Sequence, residues 1–160
     1  MDMDRANRWL TFGANVGVLA GIMFLAVEIQ QSNHIAIAST EIDVRNSFAG
    51  INESIYSDFE IAELIVRSAD TDAELTSVEE FRVYALVLRL LNTWLAVETA
   101  YANGMVPQEI YGVIENDMRG FMIRFPRIIP VFREAYETYP ALSTTDVFRT
   151  LERLLEEQDK

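Results

Sequence analysis

Glu98 is the side chain of this sequence best placed to do chemistry. It continues a stripe of Phe81, Tyr84, Leu88, Leu91 and Leu95, spaced at three and four so that all share one helix face. On that pattern its carboxylate is expected to point toward a core. A buried carboxylate must be paired or protonated. The arginines of the following segment, Arg119, Arg124 and Arg127, are the expected partners, with Arg82 and Arg89 also within the region. Such a contact is first of all a structural ion pair. Only an unpaired Glu98 would be suited to proton transfer in catalysis.

The other reactive residue types form no set. His34 is the only histidine, and a lone imidazole beside a long apolar run reads as a polar boundary residue. Glu115 and Asp117 are two apart and so do not share a helix face. The chain has no cysteine, which removes thiolate chemistry, disulfides and cysteine-ligated metals. The Glu-x-x-His pairs of carboxylate-bridged metal bundles are absent, as are a phosphate loop, a dinucleotide fingerprint and a serine elbow. No catalytic, cofactor-binding or metal-ligating residue is assigned. Trp94, Tyr101 and Phe121 are the aromatic residues expected to line any pocket between helices. Arg119 to Arg133 carries four arginines and no acid. It reads either as a docking strip for lipid headgroups or an acidic partner, or as a helix corner that neutralises acidic neighbours.

These residues need elements to hold them, and the longest is announced by Trp9 to Ile29. From Trp9 to Val27 there is no charge and no proline. A spanning helix needs about 20 mainly apolar residues to cross a core of about 30 Å. Trp9 sits where an interfacial anchor would sit. A buried helix of a soluble bundle, or a signal peptide with its shorter apolar core, are the other readings of such a run. Within it, Gly13, Gly17 and Gly21 recur every four residues. Glycine costs about 1 kcal/mol of helix propensity, and small residues let two helix backbones approach in lipid. The spacing predicts a helix-packing face. Asn15 lies roughly opposite and is able to hydrogen-bond a second neighbour.

Beyond the run, Ile35, Ala38, Ile42, Ala49 and Ile55 keep helical spacing. A single helix of about 45 residues or more is therefore expected, with a bend near Gln30 to Asn33 or at Gly50. Ser57 and Glu60 have capping-box spacing and open a short helix to about Ser68. Asp70 to Leu75 is a loop. Thr76 and Glu79 form a second box, opening a helix that Gly104 stops after Asn103. Pro107 suits the first turn of a helix to about Phe125. Pro126 and Pro130 restart one through Tyr139, and Ser143 to Asp146 caps the last, to about Glu157. Strand alternation is missing. The expected architecture is all-α: an N-terminal transmembrane helix continuing into a long helix, then a small helical bundle. The expected division is 1–29 for the tail and anchor and 30–160 for the bundle.

Composition narrows the job. There are 25 acids against 13 bases, a net charge of −12. Phosphate backbones and anionic lipid surfaces both demand the opposite sign, so nucleic acid is not an expected partner. Half of the residues are apolar, enough to build a core.

The order of features resembles a family. The N-terminal helix closes on FLAVEIQQSNHIAIAST, and SDFEIAEL, LTSVEEFRVYALVLRLL, WLAVETAYANG and FPRIIPVFREAY follow. This resembles a widespread family of uncharacterised bacterial proteins with an N-terminal membrane helix ending in a pattern like YLAVQIRQNT. The resemblance covers nearly the whole chain. It implies a single-pass, all-helical protein of the bacterial inner (cytoplasmic) membrane and no known activity. This chain carries Gln30 and Gln31 where the family tends to have an arginine. The family's arginines would hold the C-terminal part in the cytoplasm, whereas Arg5 and Arg8 precede this run and only Arg45 follows closely, which favours the opposite orientation. Sidedness stays open on the sequence.

Two functions fit. The first is a membrane-anchored accessory or interaction protein that uses its glycine face on another membrane protein or a second copy. The second is a membrane-anchored binder or sensor of a small ligand, with a pocket at Trp94, Tyr101 and Phe121. An enzyme built on Glu98 is the third and least supported.

Overall fold

The computed structural model describes residues 3–159. It contains α1 (Met3–Tyr56), α2 (Phe59–Arg67), α3 (Ser77–Ala102), α4 (Gln108–Tyr111), α5 (Ile114–Arg124), α6 (Ile128–Thr138), a 3-10 turn at Pro140–Thr144, and α7 (Asp146–Gln158). No strand occurs among the described residues, so the all-α expectation stands. The chain divides into two units between Ser39 and Thr40, ten positions past the composition break at residue 29.

The first unit is a single helical stretch. Its side chains from Asn7 to Ser39 are all exposed. The most apolar window of α1 has a mean hydropathy of 2.0, and none of it is buried. Length and composition suffice to cross a membrane. Helix α3 passes the same test, but its window is partly buried at a lower mean hydropathy of 1.2; it is the core helix of the second unit.

That second unit is built around α3. Val83, Val87, Leu90, Trp94 and Val97 are buried along one face. They meet Met118 and Met122 of α5, Phe132 and Ala135 of α6, and Phe148, Leu151 and Leu154 of α7 in one apolar cluster. The end of α1 joins through Val44 and Ile51, with Phe48 and Ile55 packed beside them. This is not the stripe read from the sequence. Ile35 and Ile42 are 62% and 57% exposed, and Ala38 and Ala49 are exposed too. Of that stripe only Ile55 packs on the core. The mostly exposed stripe and the Val44–Ile51 face differ by two positions, roughly 200° of helix. On α3 the stripe through Phe81 is mostly flank, with Phe81 68% exposed, but its Leu91 is buried at 3%.

Local chemistry explains most boundaries. Thr76 and Glu79 make the full capping box: the Glu79 amide donates to the Thr76 hydroxyl (3.4 Å) and the Thr76 amide to the Glu79 carboxylate (2.8 Å). At the other end Gly104 takes φ +68°, a left-handed conformation that glycine adopts without strain. The Met105 amide reaches back to the Ala100 carbonyl (2.8 Å) and the Gly104 amide to that of Tyr101 (2.9 Å), which is a complete Schellman stop. Pro130 stands in the first turn of α6, where its missing N–H is no loss.

Some boundaries differ from expectation. Asp58, not Ser57, caps α2, accepting from the amides of Glu60 (2.9 Å) and Ile61 (3.3 Å). The Ser57 hydroxyl instead donates to the Glu53 carbonyl at the end of α1 (2.6 Å). A carboxylate also suits the positive end of a helix better than a hydroxyl. Pro107 precedes α4 rather than entering it, and the helix expected to run to Phe125 breaks at Gly112–Val113. Helical hydrogen bonding, by contrast, runs unbroken through Gly50, where an added Cβ would lie 3.1 Å from the guanidinium of Arg89.

Candidate functional surfaces

Helix α7 starts at Asp146 with Thr145 as its cap. The first amides of any helix lack internal partners. Here the Phe148 amide donates to the Thr145 hydroxyl (3.3 Å). The amides of Asp146 and Val147 donate to the two carboxylate oxygens of Glu98, each at 2.9 Å. Glu98 is therefore a capping residue supplied from another helix. This corrects the ion-pair expectation. Glu98 is half-buried, on the flank of α3, and no arginine pairs with it among the described ion pairs. The amide pair at α7 supplies the compensation that an arginine was expected to give.

Around it the corner closes on aromatic rings. Tyr101 stacks on Tyr111 with centroids 4.4 Å apart and planes 3° from parallel. The Tyr111 hydroxyl donates to Asp146 (3.3 Å), which also pairs with Arg149 (3.1 Å). Burial first, and then the Asp146 and Glu98 charges, push the Tyr111 phenol up to about 12. It remains a hydrogen-bond donor at any physiological pH. The sequence pattern missed Tyr111 and the α7 amides. The start of α7 was legible, but which carboxylate would meet it depends on how α3 and α7 pack.

The three expected arginines have other work. Arg119 joins Glu157 (2.7 Å) and Glu115 (3.4 Å), and Arg153 joins Glu115 (2.8 Å) and Glu157 (3.1 Å). The four charges close a ring between α5 and α7. The Arg153 hydrogen bond is the main influence holding the Glu115 carboxyl low, and the Arg119 hydrogen bond does the same for Glu157. Arg127 donates to the carbonyls of Asp70, Thr71 and Ala73, tying down the loop between α2 and α3. Arg124 is exposed and lines a shallow cleft of about 210 Å³ with Asn116, Asp117, Gly120, Phe121 and Phe125. Arg133 pairs with Asp159 (2.6 Å). Two of the strip's four arginines, Arg119 and Arg133, are thus paired with acids, and Arg127 is taken up by backbone carbonyls.

The three aromatic pocket candidates do not line one cavity. Trp94 is wholly buried, and its indole N–H donates to Asp117 (3.2 Å). Its ring lies edge-on to Phe121 at 6.3 Å and tilted to Phe132 at 6.0 Å. Trp94 is core, Phe121 is a core edge beside the small cleft, and Tyr101 belongs to the Glu98 corner.

On the first unit, an added Cβ at Gly13, Gly17 or Gly21 would meet nothing within 4 Å. Leu10 and Phe24, on the glycine side of the helix, are 73% and 69% exposed. The glycine face is open and flanked by large apolar side chains.

No family model, curated protein or solved structure matches this chain.

Proposed function

We propose that this chain is a single-pass membrane-anchored accessory or interaction protein of a bacterial cytoplasmic membrane. Its N-terminal helix sits in the bilayer and packs on a helix of a larger membrane protein through Gly13, Gly17 and Gly21. The observation that carries this reading is an uncharged run from Trp9 to Val27 whose apolar window is wholly uncovered. Each large apolar side chain gains about 1.5–3 kcal/mol on leaving water, so a run of this length left in water would forfeit more than a domain's whole stability. Lipid removes that cost, and a helix satisfies its own backbone there. Because Trp94, Tyr101 and Phe121 do not line one pocket, the ligand-sensor alternative loses the feature that motivated it.

Copurification from native membranes tests the packing face. The wild-type chain is expected to bring down a stoichiometric membrane partner. Gly17→Leu is expected to lose it while the bundle stays folded, since bulk at that position holds backbones apart. A leucine variant that keeps its partner in full would contradict the role given to the glycines.

A further inference from the structure

Helix α2 and the first turns of α3 direct large apolar side chains outward. Phe59 is 82% exposed, Val66 72%, Val78 63% and Phe81 68%. Phe59 and Val66 are seven residues apart and so share one face of α2, away from the buried Leu64 and Ser68. Val78 and Phe81, three apart, share a face of α3 away from the buried Val83 and Val87. Two ion pairs bridge the two helices: Glu60–Arg82 at 3.7 Å and Arg67–Glu79 at 2.6 Å. Each apolar residue is the chain neighbour of one member of those pairs. Single exposed apolar residues are ordinary, but a group rimmed by charge marks an interaction surface.

The rim says what kind of partner fits. Between Glu53 and Arg82 there are nine acids and two bases, a local net charge of −7, and both bases are the arginines already engaged in the two ion pairs. An anionic lipid surface is repelled by such a field, and so is a second copy presenting the same face. A segment with large apolar residues flanked by lysine or arginine is attracted by the rim and anchored by the apolar residues. We propose that the outer face of α2 and the start of α3 docks a basic amphipathic helix of another protein. This deepens the interaction reading by naming the partner's chemistry, and it does not depend on the anchor.

The test uses the full chain in phosphatidylcholine nanodiscs and a fluorescent amphipathic peptide of leucine and lysine, followed by anisotropy at low and raised salt. The peptide is expected to bind, more weakly as salt rises. Phe59→Ser with Phe81→Ser is expected to weaken binding by about tenfold or more with an unchanged melting temperature, since both residues are exposed. Glu63→Lys with Glu80→Lys is expected to weaken it and to flatten the salt dependence. The proposal is overturned if the peptide does not bind, or if the serine variant binds like wild type. It is equally overturned if a leucine–glutamate peptide of the same pattern binds as well. A chain that ignores the peptide but stays in membranes on alkaline extraction loses this inference alone and keeps its anchor.

Discussion

Glu98 acts as a remote cap, and a cap has a measurable worth. Hydrogen bonds to a charged group contribute about 1.5–3 kcal/mol, and a carboxylate at a helix N-terminus adds a favourable interaction with the dipole. Glu98→Ala strands the amides of Asp146 and Val147, so a loss of about 2 kcal/mol is expected in denaturant unfolding. Faster amide exchange should appear at those two positions. Glu98→Gln is expected to fall between, because its amide offers one acceptor oxygen where the carboxylate offers two. An alanine variant within experimental error of wild type would mean that the contact does not hold α7. Were an arginine the true partner, the exchange effect would be missing from α7. The sequence placed Glu98 toward a core among apolar residues, where it needs compensation; the structure puts it half-buried on the flank of α3. It did not show the compensating group, because backbone amides at a helix start carry no side-chain signature.

At the scale of elements, legibility tracked the range of the interaction that sets each one. The Thr76–Glu79 box and the Gly104 stop are local, and both were readable. The break at Gly112–Val113 was not, because one glycine inside a helical pattern is tolerated and is not by itself a stop. There Tyr111 is taken up by Tyr101 and Asp146, while Ile114 is buried in the core. The face of α1 that packs was misread for a similar reason: two apolar stripes compete on one helix, and only the placement of α3 and its neighbours decides between them. The α5–α7 charge ring gives a test at this scale. Glu115 and Glu157 are held below their ordinary value of 4.5 in the folded chain. Their contribution is complete above that ordinary value and disappears as pH falls through the folded values. Stability measured across falling pH should therefore drop below about pH 4.5 more steeply in wild type than in Arg119→Met with Arg153→Met. Raised salt should narrow the difference, since these groups are exposed. Parallel pH profiles for the two proteins would remove the ring from the account of α7 docking.

At the scale of the whole molecule, two kinds of surface share one chain. From Thr40 onward apolar residues are gathered into a core around Trp94, Phe132 and Phe148, and the surface is rich in acids. Before Ser39 the apolar residues are on the outside. On the proposed reading the second arrangement is the part that a bilayer covers. The boundary at Ser39 and Thr40 says where to cut: a chain starting at Thr40 keeps Val44 and Ile51 in the core. The most direct measurement is alkaline extraction of membranes from cells that make the full chain or the chain beginning at Thr40. The full chain is expected in the pellet, resisting carbonate and released only by detergent. The shortened chain is expected in the supernatant, with the circular dichroism of a folded helical protein. A full chain washed free by carbonate, or a shortened chain that stays with the membranes, would contradict the anchor on which the proposed function rests.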